Sequence, residues 1–283
     1  MKRSEFATVT SINGKIVPLK DARISAFDNA VLYGEGLFET FLGIDNRPIF
    51  LREHLSRLHR GAKLLGLKIP VSQRQLIAWI TNALKTHPSH TKQLRLTLTA
   101  GESPRYTGRR GKPQVIIGVA PYTFPSRPFK LMVAEYRVDQ DSEFRRIKTI
   151  SYAIHAAALS MARKQRCDDA LMLNERGKIA EVSSANIFWV KKGHIFTPPI
   201  SSGCLVGVTR ARVIKEAIRL GLSVTEKDCT LEQLGSADEV FISSSLKLVI
   251  GVARIRQSST PWHFSPGPIT ARLREVFLRL VKV

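Results

Sequence analysis

The sequence predicts an α+β fold built as two domains. Segments with strand character outnumber those with helical periodicity, and many join through short hairpin turns, which favours an α+β fold over a parallel α/β sheet. Near the middle, Pro121 to Pro128 holds three prolines in eight residues. A residue that fixes φ and lacks a backbone donor suits neither a helix nor a central strand. The 283 residues are therefore expected to divide into a first domain, 1–120, an interdomain linker, 121–128, and a second domain, 129–283.

In the first domain a hairpin of Phe6 to Thr10 and Lys15 to Pro18 closes over Ser11-Ile12-Asn13-Gly14. A second, Gly36 to Ile44 with Arg47 to Phe50, closes over Asp45-Asn46. Leu51, Leu55, Leu58, Ala62 and Leu65 recur on one face and predict a helix from Arg52 to Leu65, stopped by Gly66. Another helix spans Ser72 to Lys85, with Ser72 as its cap. Strand-like runs at Gln93 to Ala100 and Gln114 to Ala120 flank an arginine-rich loop, 101–111. The second domain opens with a strand, Lys130 to Arg137, and a helix, Tyr152 to Gln165. Strands at Ala170 to Asn174, Lys178 to Val182 and Asn186 to Val190 follow. A helix, Thr209 to Leu220, precedes strands at Ser223 to Glu226, Glu239 to Ser243 and Leu248 to Arg254. The amphipathic run Ile269 to Val281 predicts a closing helix.

Composition narrows the function. Hydrophobic residues make up 43% and charged residues 24%, which suits a soluble globular protein and not a disordered chain. No run approaches the ~18 apolar residues of a membrane span. The charged start lacks an apolar stretch behind it, so no secretory signal is expected. Cys167, Cys204 and Cys229 are too scattered for a disulfide framework or a closed zinc site, and no metal centre is expected. These features read as a cytoplasmic enzyme with reduced thiols. The net charge of +21 would suit nucleic acid, a membrane surface or an anionic small molecule. No zinc finger, RNP-type strand or heptad-linked basic region accompanies it, so a non-catalytic nucleic-acid-binding role is the remote alternative.

The chemistry-bearing residues cluster in the second half. Lys148 follows Arg145-Arg146-Ile147 and precedes a helix. Then come Ala180-Glu181-Val182-Ser183-Ser184-Ala185-Asn186 and Gly207-Val208-Thr209-Arg210. Singly, each is weak: Lys148 reads as surface and Glu181 as a turn or cap. Gly207-Val208-Thr209 reads equally as an N-cap or as a phosphate cradle at a helix N-terminus.

In order, they resemble the fold-type IV pyridoxal-phosphate enzymes, the class IV aminotransferase family. The likeness extends over nearly the whole chain. It includes Ile24 to Asp28, Tyr33 to Thr40, His54 to Leu58, Leu94 to Thr97, Lys148, Asp168 to Leu171, Glu181 to Phe188, Gly207 to Arg210, and Asp238 to Phe241 with Ser243 to Ser245. The resemblance implies a small α/β domain plus a larger β-rich, barrel-like domain, a homodimer, and pyridoxal 5'-phosphate as cofactor.

It also implies residue roles. Lys148 forms the internal aldimine, helped by the cationic Arg145 and Arg146, and then moves the proton at Cα. Glu181 faces the pyridine nitrogen and keeps it protonated. Arg57, on the polar side of the Leu55/Leu58 helix, holds the phosphate, with Val208, Thr209 and Ser245 as further donors. Tyr33 and Phe38 match pocket-wall positions, although an aromatic in a strand more often packs a core. Arg95 reads either as a structural partner of an acid or as the substrate-carboxylate reader, joined by Arg105, Arg109 or Arg110.

Within the family, Phe27 to Gly34 and Leu94 to Gly101 look most like aminodeoxychorismate lyases. Ala100 stands where D-amino-acid aminotransferases present an arginine. The leading expectation is elimination of pyruvate from 4-amino-4-deoxychorismate to give 4-aminobenzoate for folate synthesis. The alternative is an aminotransferase of branched-chain or related amino acids with 2-oxoglutarate. Val182, and Ile250-Gly251-Val252, depart from the family pattern around the pocket.

Overall fold

The computed structural model describes residues 9–103, 111–257 and 260–282. The chain forms two compact units, 1–123 with 147–151, and 124–146 with 152–283.

Unit 1 begins with β1 (Val9–Ile12) and β2 (Lys15–Val17), then α1 (Asn29–Leu32), β3 (Gly36–Ile44) and β4 (Arg47–Pro48). It continues with α2 (Leu51–Leu65), α3 (Gln73–Lys85), β5 (Thr91–Thr99) and β6 (Val115–Pro121). Its strands form one antiparallel sheet in the order β2-β1-β6-β5-β3-β4. The Asn-Gly turn forms as expected, with φ of 50° at Asn13 and 83° at Gly14. The strand ahead of it includes Ser11 and Ile12, two residues assigned to the turn from sequence. A Cβ at Gly14 would meet the Trp79 ring at 2.2 Å, so the close helix approach needs glycine as much as the turn does. Gly66 ends α2 in the left-handed conformation, and the Ser72 hydroxyl caps α3 by accepting from the Gln75 N–H.

Alternation in the sheet makes two different faces. Leu37, Phe41, Leu94, Leu96, Leu98, Ile117 and Val119 share a core with Leu55, Leu58 and Ala62 of α2 and Leu76, Ile80 and Leu84 of α3. Register pairs Phe38 with Thr97 and Thr40 with Arg95 on the face turned away from these helices.

Unit 2 holds β7 (Phe129–Val138), α4 (Ala153–Lys164), β8 (Asp169–Asn174), β9 (Ile179–Val182) and β10 (Asn186–Lys191). After these come β11 (His194–Thr197), α5 (Val208–Arg219), β12 (Val224–Glu226), α6 (Leu231–Gly235) and β13 (Glu239–Ser244). The unit ends with β14 (Leu248–Gln257), β15 (Thr260–His263) and α7 (Pro268–Val281). The sheet runs β12-β11-β10-β13-β14-β7-β8-β9, with β15 on β14. β9, at one end of that order, feeds through the 183–185 turn into β10 in its other half, so the sheet curls into the barrel-like form expected.

The sheet is mixed. β7 pairs in parallel with both β8 and β14, and β11 with β12. The crossovers β7-α4-β8 and β11-α5-β12 make two of those pairs, β14 returning beside β7 makes the third, and hairpin counting does not show them. Four of these elements lie outside the sequence reading: α1, β11, α6 and β15. Each is four or five residues long, too short for a periodicity, although the capping box of Thr230 with Gln233 marks α6. Pro121, the first residue of the expected linker, instead closes β6.

Candidate active site

In unit 1, Lys148 sits in the segment 147–151, which the backbone ties to β3. Its carbonyl accepts from the Phe38 N–H (2.9 Å), Thr149 bridges Leu37, and the Ile150 N–H donates to Gly36 (3.0 Å). The Lys148 amine lies 4.3 Å from the centroid of the Phe38 ring. The Arg95 guanidinium carbon lies 3.8 Å from the same centroid. One buried aromatic thus lies against both the Lys148 amine and the Arg95 guanidinium. Arg95 is an exposed residue. It borders a cavity of about 490 Å³ together with Thr40, Gln93, Thr97, Ile116 and Gly118. Tyr33 follows α1 and is 48% exposed. Arg105, Arg109 and Arg110 lie outside the described residues.

Arg57 corrects the sequence reading. It lies on the buried side of α2, not the polar side, and is 5% exposed. Its Nε and Nη2 donate to the two oxygens of Glu39 at 2.8 and 2.6 Å. His54 Nδ1 meets the same carboxylate at 2.7 Å. A bidentate pair fixes the plane of the guanidinium. Burial alone would raise the Glu39 pKa, but Arg57 and His54 outweigh it and bring it down to about 2. Burial likewise depresses His54, against the pull of Glu39. The sequence carries one sign of this cluster: Glu39 falls between Leu37 and Phe41 on the apolar face of an alternating strand.

In unit 2, Glu181 is 5% exposed on β9. Its Oε1 meets Nη2 of Arg145, and Nε2 of His155 at 3.1 Å. Its Oε2 accepts the Leu205 N–H at 2.9 Å. Burial opposes ionisation, yet His155, Arg145 and the Leu205 N–H together hold the carboxyl below the usual range. Arg145, read from sequence as tuning Lys148, is thus bound to Glu181.

Val208 and Thr209 open α5, whose N-cap, Gly207, supplies no side-chain cap. A Cβ at Gly207 would stand 2.0 Å from the Asn186 side-chain oxygen, so only glycine fits there. Among the described residues of this unit, two buried hydroxyls lack a hydrogen-bond partner, Oγ1 of Thr209 and Oγ of Ser243. Ser243 pairs with Asn186 across β10 and β13, and the sequence reading passed over it for Ser245. Ser245 lies in the turn between β13 and β14. A helix N-terminus of open N–H groups with orphaned hydroxyls beside it has the composition of a phosphate site. An ionised buried carboxylate suits a protonated ring nitrogen. The residues present therefore fit pyridoxal phosphate.

Lys148 in unit 1, and the ionised Glu181 carboxylate and the α5 N-terminus in unit 2, are residues of the kind that a pyridoxal-phosphate enzyme of fold type IV uses. The family model for amino-transferase class IV matches residues 36–255, and the chain belongs to that family. Its members use pyridoxal phosphate. The chain is 32% identical to a Methanocaldococcus jannaschii protein named "Putative branched-chain-amino-acid aminotransferase", over 94% of each chain. It is 29% identical to the aminodeoxychorismate lyase of Bacillus subtilis, over 96% of this chain and 94% of that one. The branched-chain aminotransferase of Thermoproteus uzoniensis, solved with norvaline, superposes with a TM-score of 0.90 at 27% identity, covering 97% and 95%.

Proposed function

We propose that the chain is a 4-amino-4-deoxychorismate lyase. The observation that carries this reading is Arg95, stacked on the ring that also carries the Lys148 amine and bordering a cavity edged by Thr40, Gln93 and Thr97. A cation at a cavity that Thr40, Gln93 and Thr97 line beside Leu19, Ala22, Leu94, Ile116 and Ala120 suits a substrate that joins carboxylates to an apolar ring. The Bacillus subtilis lyase supports the reading at the level of sequence.

In this reading Lys148 is the residue that attaches the cofactor and takes the proton from the amine-bearing carbon. When bound, pyridoxal phosphate supplies the electron sink for the pair left behind. Glu181 accepts the hydrogen bond of the ring nitrogen. Val208, Thr209, Ser245 and Arg57 hold the phosphate. Tyr33, Phe38 and Arg95 bound the substrate, and the proton count closes when the departing enolpyruvyl fragment is protonated to pyruvate.

Incubation with 4-amino-4-deoxychorismate should release 4-aminobenzoate and pyruvate in equal amounts. Arg95→Leu should lower kcat/KM by roughly 30- to 1,000-fold, an effect of about 2–4 kcal/mol, because a substrate carboxylate loses its partner. Release of 4-aminobenzoate at an unchanged rate in that variant would remove Arg95 from the site. Thr209→Val takes one hydroxyl from the phosphate cradle and should weaken cofactor retention about tenfold, read by equilibrium titration. An unchanged affinity would place the phosphate elsewhere.

A second reading, transamination of branched-chain or related amino acids with 2-oxoglutarate, is favoured by the 32% identity to the Methanocaldococcus protein. There Arg95 would read the distal carboxylate of 2-oxoglutarate. Rapid transamination of L-leucine or L-valine, with no 4-aminobenzoate from the chorismate derivative, decides for it.

The same family reading implies a homodimer. Phe27, Val31, Leu32 and Tyr33 are all exposed in unit 1, and a neighbouring subunit would cover apolar side chains of this kind. Sedimentation at micromolar concentration should report the dimer mass; a monomer would refute it. A reducing cytoplasm is in keeping with three buried free cysteines, and no helix among the described residues is long and apolar enough to cross a membrane.

A further inference from the structure

We propose that Arg145 and His155 are positioning residues that keep Glu181 ionised and aimed through one oxygen, so that the proton it shares with the cofactor's ring nitrogen stays on the nitrogen. The inference rests on the proposed role of Glu181 and adds two residues to it.

Arg145 is held from two sides within unit 2, by Gly203 and by Glu181, with His155 alongside. Its Nε donates to the Gly203 carbonyl at 3.0 Å, its Nη1 lies 3.2 Å from His155 Nε2, and its Nη2 donates to Oε1 of Glu181. Gly203 has a φ of 86°, which a side-chain-bearing residue rarely adopts, so glycine is needed where this carbonyl anchors Arg145. His155 stacks on the Tyr152 ring, with centroids 4.2 Å apart and planes 13° apart. The Tyr152 hydroxyl donates to the Ser183 carbonyl at 3.0 Å, in the loop after Glu181. In the tautomer with hydrogen on Nε2, His155 donates to Oε1. Each side chain thus has a partner of its own besides the carboxylate.

The distribution of donors gives the arrangement its meaning. A carboxylate accepts about four hydrogen bonds, two at each oxygen. Arg145 and His155 both fall on Oε1, while the Leu205 N–H falls on Oε2. Oε2 is thus the oxygen with acceptor capacity toward the ring nitrogen. Stripped of Arg145, a carboxyl this buried takes up a proton and becomes a donor. A donor at that place suits a neutral ring nitrogen, a poorer electron sink. An ion pair made only for stability has no need to crowd one oxygen in this way.

The test uses the holoenzyme reconstituted with pyridoxal phosphate labelled with 15N in the ring, and reads the 15N chemical shift. Wild type should show the protonated nitrogen. Arg145→Met should move the balance toward the neutral form by about tenfold or more, equivalent to one unit of pKa. Arg145→Lys, which keeps the charge, should restore much of the protonated signal. Arg145→Gln, polar but uncharged, should behave as Met does and decides the matter should the Met variant fail to fold. Glu181→Gln separates the two claims. If Glu181→Gln gives the neutral signal and the Met and Gln variants at Arg145 keep the wild-type one, the positioning role is wrong and Glu181 keeps its role. If Glu181→Gln leaves the signal unmoved, Glu181 itself is not the ring partner.

Discussion

Lys148→Ala should give a folded protein that lacks the borohydride-reducible absorption band of the cofactor-loaded wild type and whose kcat is lower by about a thousandfold or more. Loss of a positioned proton carrier costs about 10² to 10⁴ in rate, and loss of covalent attachment adds to it. The fold should survive because the contacts that seat 147–151 on β3 are made by the main chain: the Lys148 carbonyl, the Thr149 bridge and the Ile150 N–H. Unfolding temperatures within a few degrees of each other would confirm that the loss is chemical. A variant that keeps the reducible band would identify another lysine as the attachment point and end the assignment of Lys148.

Glu39→Ala should be the most destabilising single change in unit 1. It leaves Arg57, 5% exposed, and His54, fully buried, without the carboxylate they share. Breaking a buried pair from one side costs about 3–5 kcal/mol, because a charge stays behind in the core. The acid response follows from the same group. A carboxyl whose pKa falls from 4.5 unfolded to about 2 folded stabilises the fold fully above 4.5, and that contribution drains away as pH falls toward 2. It amounts to about 3 kcal/mol. His54, depressed by burial from 6.5, acts in the same direction: below pH 6.5 the unfolded chain takes up a proton that the folded site resists. Urea unfolding at pH 7, 5 and 4 should show wild type losing stability on acidification, with Glu39→Gln less stable at pH 7 and less sensitive to acid below 4.5. Parallel losses in both proteins would mean that Glu39 is not a source of the acid lability.

Which parts of this were readable in the chain follows from the range of the interactions involved. Asn13-Gly14 and the leucine row of α2 with Gly66 are local signals, decided within one turn or one helix, and they place those elements closely. Lys148, Glu181 and Thr209 are legible only as an ordered set, because each is ordinary by itself. Arg57 shows the limit. Its residue type argues for solvent, yet a glutamate 18 residues earlier in the chain draws it under the sheet. Arg145 is similar: three positions from Lys148 in sequence, it is bound to a carboxylate 36 positions away. Ser243 and Ser245 are alike in sequence, and strand pairing buries one without a partner while the turn takes the other.

The sequence by itself determined the class of protein, the cofactor chemistry and most element boundaries, because hydrophobic period, turn residues and ordered motifs act over short stretches of chain. Only the tertiary structure decided which charges meet. Glu39 with Arg57 and His54, and Glu181 with Arg145 and His155, are long-range pairs in a dry interior, where an unpaired ion costs several kcal/mol. That cost selects the partner by fold geometry, and nothing in the local sequence encodes it.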